Sequence, residues 1–329
     1  MFFYRFTYIY VLFALLFVTV SCQNSDEYKK ESGVVWNTTY NIVYESKTEL
    51  TDSILNALRS VDSSVSAFND SSVVSRINRN EISEVDSHFK RLYEMSCEIN
   101  KASGGAFDPT ISPLVNAWGF GYESQGEGKE VDVDSLMQFV GLKSTQLQGD
   151  SLIKTDRRTT FNFSAIAKGY GCDEIGKMFD MNGVENYMVE IGGEIALSGV
   201  NPRGGLWRIS IDRPILDNEN VIHESQMIIA VSNCGVATSG NYRNYKELNG
   251  KRIAHTIDPK TGNPIQTDVV SATIIASTCA EADAYATASM VVGSEAAKQM
   301  ILANKLKGLL IMADGNVWKS KEFELLITE

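Results

Sequence analysis

Histidine is scarce in this sequence, with 3 residues in 329, and cationic side chains are outnumbered, 30 Lys and Arg against 41 Asp and Glu. The net charge of −11 excludes nonspecific nucleic-acid binding, which depends on neutralising phosphates with Lys and Arg. It also means that a phosphorylated ligand must be held with local help from a metal ion or backbone amides. The five cysteines, Cys22, Cys97, Cys172, Cys234 and Cys279, show no CxxC and no zinc-type spacing. Buried free thiols are therefore expected for the last four, with a disulfide left open for an exported chain. The glycine spacing and the Lys-Ser/Thr pair of a Walker loop are missing. There is no internal repeat and no linker, and the apolar run Ile9 to Val20 is too short to span a bilayer comfortably.

What is present, 43% hydrophobic residues, suffices for a large core in one large domain or two closely packed ones. Residues 1–21 carry Arg5 as their single charge ahead of that apolar run, which reads as a signal peptide. Thr19-Val20-Ser21-Cys22 resembles the lipobox of bacterial lipoproteins, although Thr19 stands where leucine is usual. Acylation at Cys22 would lipid-anchor the chain in the cell envelope, facing the periplasm or another extracytoplasmic side, since each buried methylene contributes about 0.8 kcal/mol. The expected division is a signal peptide over 1–21, a lipidated polar tether over 22–32 and one folded domain over 33–329.

Alternation predicts a strand over Val34 to Tyr44, and Thr51-Asp52 is expected to cap a helix whose apolar positions Ile54, Leu55, Leu58, Val61 and Val65 follow helical spacing. A second helix is expected from Ser87 to the Gly104-Gly105 stop, followed by a rigid Asp108-Pro109-Thr110 turn. Gly119 to Lys129 reads as a loop and Val133 to Val140 as a short helix. Further strands are expected near Ile153 and over Tyr187 to Ile191, Leu206 to Ile211, Met227 to Val231, Val269 to Ala276 and Gly308 to Met312. Helices are expected over about Ala165 to Phe179, Ala280 to Val292 and Glu295 to Asn304. A β-rich middle flanked by helices, without strict βαβ alternation, predicts an α+β or mixed α/β fold.

Chemistry concentrates in a few segments. Asp283 and Thr287 are four apart, so a helix would stack an exposed carboxylate and a hydroxyl on one face, the oxygen ligands that magnesium takes. The alanines around them leave room for a large anionic ligand while keeping helix propensity high. Ser164 to Gly171 opens a helix with small residues around Lys168, offering amides and an ammonium to an anion. The paired glycines of Glu190-Ile191-Gly192-Gly193-Glu194 permit close approach of a backbone or ligand. Thr238 and Ser239 lie in a small polar turn, where hydroxyls suit phosphate oxygens. His255 precedes Asp258-Pro259 and Gly262-Asn263-Pro264 turns that fix its direction, whereas His88 and His223 read as surface residues. His255 is therefore the catalytic candidate. Taken singly, each has an ordinary structural explanation: a helix-dipole partner, a solvent-facing lysine, an idle histidine beside a turn.

Phe68 to Asn78 (FNDSSVVSRIN), Gly104 to Gly121 (GGAFDPTISPLVNAWGFG), the Ala-Lys-Gly helix start, the Gly-Gly-Glu turn, ATSGNY, HTIDPKTGNP and AEADAYATA occur in one order. In that order they resemble the ApbE family, the FAD:protein FMN transferases, over nearly the whole mature chain. The resemblance implies an ApbE-like fold, a β-rich core flanked by helices, with the FAD site in a cleft between the two parts. It implies a Mg-dependent enzyme that splits FAD, releases AMP and attaches FMN through its phosphate to a threonine or serine hydroxyl of an exported acceptor protein, such as a membrane redox-complex subunit. Magnesium is implied on Asp283, Thr287 and the backbone carbonyl of Ala165. FAD contacts are implied for Ser66, Ala67, Phe68, Asn69, Asp108, Lys168, Thr238, Ser239 and Ile257, with His255 beside the reacting phosphate. Two segments depart from the family: Trp36-Asn37 stands where Met-Gly is usual, and Asn162 replaces an aspartate.

Attack on a pyrophosphate needs positioning and charge neutralisation more than covalent chemistry, which a metal ion supplies efficiently. His255 is expected to accept or orient the hydroxyl proton, an imidazole pKa of about 6.5 being suited to neutral pH. The alternative is an aspartate base, with His255 binding phosphate. Water in place of the acceptor would make a FAD pyrophosphatase, and binding without turnover a membrane-tethered FAD carrier.

Overall fold

A hairpin forms one edge of the main sheet. The computed structural model describes residues 27–123, 131–212, 225–240, 245–248 and 251–329. Its first strands, β1 (Glu27–Val35) and β2 (Thr38–Ser46), are joined by Trp36 and Asn37, with φ of 49° and 60°. Two successive left-handed residues give the turn that matches the twist of paired strands. A tryptophan rarely adopts that backbone, and packing against Gly171 accompanies it here: a Cβ at Gly171 would lie 2.5 Å from the Trp36 ring. The strand expected over Val34 to Tyr44 is thus two strands. Glu27 to Ser32, expected as the end of a tether, belongs to β1 and pairs residue for residue with β2. Cys22 and the expected signal peptide lie outside the described residues.

The remaining strands are β3 (Thr145–Gln148), β4 (Ser151–Lys154), β5 (Tyr187–Ile191), β6 (Glu194–Ser198), β7 (Trp207–Asp212), β8 (Ser225–Val231), β9 (Cys234–Gly240), β10 (Tyr245–Leu248), β11 (Lys251–Ala254), β12 (Val269–Ala276), β13 (Lys307–Met312) and β14 (Val317–Lys319). The main sheet runs β1-β2-β5-β6-β9-β12-β13-β14, antiparallel throughout, while β3-β4, β7-β8 and β10-β11 pair separately. Both faces of the sheet are covered, and period-two alternation sorts its side chains between them. Ala272 and Ile274 of β12 and Leu310 of β13 face the helices, while Ile275, Leu309 and Ile311 pack with the β7-β8 hairpin and Phe323.

The helices are α1 (Thr51–Val65), α2 (Val73–Asn78), α3 (Ser87–Ala102), α4 (Ser112–Ala117), α5 (Val133–Met137), α6 (Ala167–Met181), α7 (Cys279–Val292), α8 (Ser294–Ala303) and α9 (Lys321–Glu324). The mixed helix-and-sheet class is the expected one. The cap expected for α1 is absent, because the Thr51 hydroxyl donates to Glu31 of β1 instead. A capping box of Thr278 and Glu281 starts α7. Ala280, Ala282, Ala284, Ala286 and Ala288 are all fully buried, as befits a helix enclosed by the core on nearly every side. These alanines therefore serve packing, not room for a ligand. Glycines flank the start of α7 on two sides: a Cβ at Gly169 would sit 2.3 Å from the Cys279 carbonyl oxygen, and one at Gly235 2.2 Å from its nitrogen. Cys97, Cys172, Cys234 and Cys279 are free thiols, as expected, but only Cys172 and Cys279 are fully buried; Cys97 and Cys234 are half-buried. No helix among the described residues is long and apolar enough to cross a membrane.

Candidate active site

The segments that sequence singled out converge on one cavity of ≈ 1330 Å³. The loop after α1 brings Ser66, Ala67, Phe68 and Asn69; the turn after α3 brings Asp108; the approach to α6 brings Asn162 and Ala165, and its first turn Lys168. Strand β9 contributes Thr238 and Ser239, the loop after β11 His255 and Ile257, and α7 Asp283 and Thr287. Every predicted catalytic, FAD and metal position thus lines the same space.

At the floor the geometry differs from the expectation of an exposed metal-ligand helix. Asp283 is only 2% exposed, and its Oδ2 accepts a hydrogen bond from the Gly169 amide of α6 at 3.1 Å. In return Asp173 of α6 accepts from the Cys279 and Ala280 amides of α7, at 2.8 Å each. Each helix therefore uses a carboxylate to satisfy amides that the other leaves open. Burial pushes the Asp173 carboxyl up to about 7, against the pull of those two amides. The anion-binding corner expected at the start of α6 is largely closed, since the Ala167, Gly169 and Tyr170 amides are bonded to Phe163, Asp283 and Ile166.

Lys168 does not face solvent freely. Its Nζ lies 3.1 Å from Oε1 of Glu194, whose residue is 5% exposed. Burial works to lower the Lys168 pKa, but the Asp283 and Glu194 carboxylates outweigh it and hold the ammonium above its usual range. Burial raises both carboxyls, Glu194 to about 8, with Lys168 opposing in each case.

Thr238 and Ser239 are consecutive residues of β9, not a turn, so their side chains diverge. The Ser239 hydroxyl lies 3.3 Å from that of Thr287, whereas Thr238 pairs across the strands with Thr273 at 2.8 Å. Asp108 lines the cavity, yet its carboxylate is engaged in building the turn: Oδ1 accepts from the Thr110 amide and hydroxyl at 2.8 and 2.6 Å, Oδ2 from the Leu142 amide at 3.2 Å. Burial raises its pKa, and the Thr110 and Leu142 bonds oppose that. Asn162 accepts from the Ser164 amide at 2.8 Å and so shapes the approach to Ala165 without a charge.

The rim is formed by loops. Phe68 is 58% exposed and meets Tyr122 edge-on, ring centroids 6.2 Å apart. His255 is half-buried beside Phe120, centroids 6.4 Å apart. The chain after it folds back rigidly: Ile257 bridges to Pro264, the Gly262 amide donates to Asp258, and the Trp118 indole donates to the Gly262 carbonyl at 2.9 Å. His88, expected at the surface, is half-buried, with Nδ1 2.8 Å from the Tyr170 hydroxyl and Nε2 2.8 Å from that of Ser60. His223 lies outside the described residues.

Among the cavity residues that escaped the sequence reading, Glu194 and Trp36 matter most. Glu194 was marked only by its Gly-Gly turn, and Trp36, whose Nε1 is buried without a partner, carried no signal beyond its departure from the family pattern. Among the described residues no group of three or more His, Cys, Asp or Glu is placed to hold a metal. The residues present nevertheless fit magnesium, because Asp283, Thr287 one turn along and the Ala165 carbonyl are hard oxygen donors. Magnesium keeps several waters and takes substrate phosphates in preference to a full protein cage.

A sequence model of the ApbE family matches residues 36–310. The FAD:protein FMN transferase of Vibrio cholerae serotype O1 is 36% identical over 320 residues, covering 94% of this chain and 95% of the relative. That of Haemophilus influenzae is 33% identical over 326 residues, covering 94% and 93%. Among solved structures, the flavin transferase ApbE from Vibrio cholerae superposes with a TM-score of 0.81 at 32% identity, over 92% of this chain and 99% of that one.

Proposed function

The chain belongs to the ApbE family, and on that premise we propose that it transfers the FMN moiety of FAD to a hydroxyl of an acceptor protein, with AMP as leaving group. The observation that carries this reading is the convergence of the ordered motifs on one cavity of a size suited to a dinucleotide. In the reaction a threonine or serine oxygen bonds to the flavin-side phosphorus, the phosphoanhydride bond breaks and AMP departs. The hydroxyl proton passes to His255, the imidazole held at the rim.

Lys168 neutralises pyrophosphate charge from the floor, and Phe68 offers an exposed ring on which an isoalloxazine stacks. Asp283, Thr287 and the Ala165 carbonyl would hold magnesium, which when bound neutralises charge on the pyrophosphate oxygens. Mass spectrometry of a threonine-containing acceptor after incubation with protein, FAD and magnesium tests the reading. The expected result is FMN in phosphoester linkage on the acceptor. AMP release at the same rate with and without acceptor would instead identify a pyrophosphatase. The chain acts in the cell envelope, anchored through a lipidated Cys22 and meeting exported acceptors. Cys22→Ser is expected to move it from the membrane to the soluble fraction, and continued membrane retention would refute the anchor.

A further inference from the structure

Glu194 is a buried charge in the cavity to which the transfer chemistry above assigns no task. It opens β6 directly after Gly192 and Gly193, whose φ values of 64° and 104° let the chain reverse within two residues. Its Oε1 holds the Lys168 ammonium at 3.1 Å, and its Oε2 is buried with no partner. A buried carboxylate oxygen without a donor is costly to the folded chain, so its presence points to a demand made by a ligand. Lys168 feels two carboxylates, Glu194 and Asp283, and the three groups together leave the floor one net charge negative when all are ionised.

A divalent cation on Asp283 would change that balance. With Glu194 absent, the ammonium and the cation would share a single carboxylate in a space of low dielectric, and one would exclude the other. We propose that Glu194 is a positioning residue: its carboxylate holds Lys168 in the cavity and supplies the negative charge that lets the lysine and a divalent cation act on one pyrophosphate. This rests on the reading of the cavity as a site for FAD and magnesium.

Loss of the Glu194 charge has two effects of opposite sign. Glu194→Gln makes the floor more positive, so the anionic dinucleotide alone binds more tightly while the cation binds less well. Structural damage would weaken both. Calorimetry on the purified protein reads them separately: FAD titrated with chelator present, then magnesium titrated at saturating FAD. Glu194→Gln is expected to bind metal-free FAD roughly threefold more tightly and to need roughly 10- to 100-fold more magnesium. Glu194→Asp, which keeps the charge, stays near the wild type. If Glu194→Gln does not fold, Lys168→Met and Lys168→Met/Glu194→Gln carry the comparison, because the double variant leaves no unpaired charge of this pair. The double variant should still need more magnesium than Lys168→Met. Equal magnesium requirements within either pair, or weakened metal-free FAD binding in Glu194→Gln, would overturn the role. A wild-type protein that binds no FAD, or binds it without regard to magnesium, would overturn the underlying reading of the site as well.

Discussion

At the floor of the cavity the buried Glu194 and Asp283 and the half-buried Lys168 are charges held by helix ends and a tight hairpin, whereas at the rim Phe68, Asn69 and His255 ride on loops partly open to solvent. The floor has little freedom, since moving any one charge would strand another in low dielectric. Such a surface is organised before the ligand arrives, which is what stabilising charge in a phosphoryl-transfer transition state requires. The rim can adapt, and it must, because a flavin ring and a second protein both have to reach the phosphorus there.

Removing a floor charge should therefore do more damage than removing a rim side chain of larger area. Asp283→Asn, which keeps an oxygen for the Gly169 amide, is expected to lower acceptor labelling by about 1,000-fold or more. Labelling within tenfold of wild type would break the contrast. Next in size comes His255→Ala, with a loss of about 100-fold in labelling and metal-free FAD affinity unchanged, read by fluorescence titration. Phe68→Ala tests the rim as a stacking surface. It should weaken FAD by roughly five- to tenfold and leave the melting temperature where it was, since the ring is mostly exposed.

The smallest effect concerns the link between α6 and α7. Burial raises Asp173 from the ordinary 3.8 to about 7, so the folded chain holds this proton more tightly than the unfolded chain does. Its contribution to stability is then greatest below about pH 4, declines as pH rises towards 7 and levels off above. Melting curves from pH 5 to 8 should fall more steeply for the wild type than for Asp173→Asn, by a few degrees across the range. Parallel curves would show that the carboxylate is not strained by burial.

Much of the secondary structure was legible. The strands Tyr187–Ile191 and Val269–Ala276 follow from their own runs of β-branched and apolar residues, and α7 from the high helix propensity of its alanines. The β1-β2 turn was not, because Trp36-Asn37 has no glycine, and its left-handed backbone is matched by packing on Gly171, far away in the chain. Thr238 and Ser239 read as a turn because small polar residues favour turns, yet pairing with β12 drew them into a strand. The reciprocal carboxylate caps of α6 and α7 join residues 106 to 114 positions apart, a separation at which local pattern carries no information.

By itself the sequence determined the oxygen donors one helical turn apart at Asp283 and Thr287, the fixed turn after His255 and the order of motifs that marks the family. Only the tertiary structure decided that Asp283 is buried, that Lys168 answers to two carboxylates, and that Glu194 belongs to the site. The physical reason is one of range. Spacing and turn chemistry act within a few residues, whereas burial and charge pairing depend on which distant segments pack together, and it is packing that turned a helix-face carboxylate into the floor of a cavity.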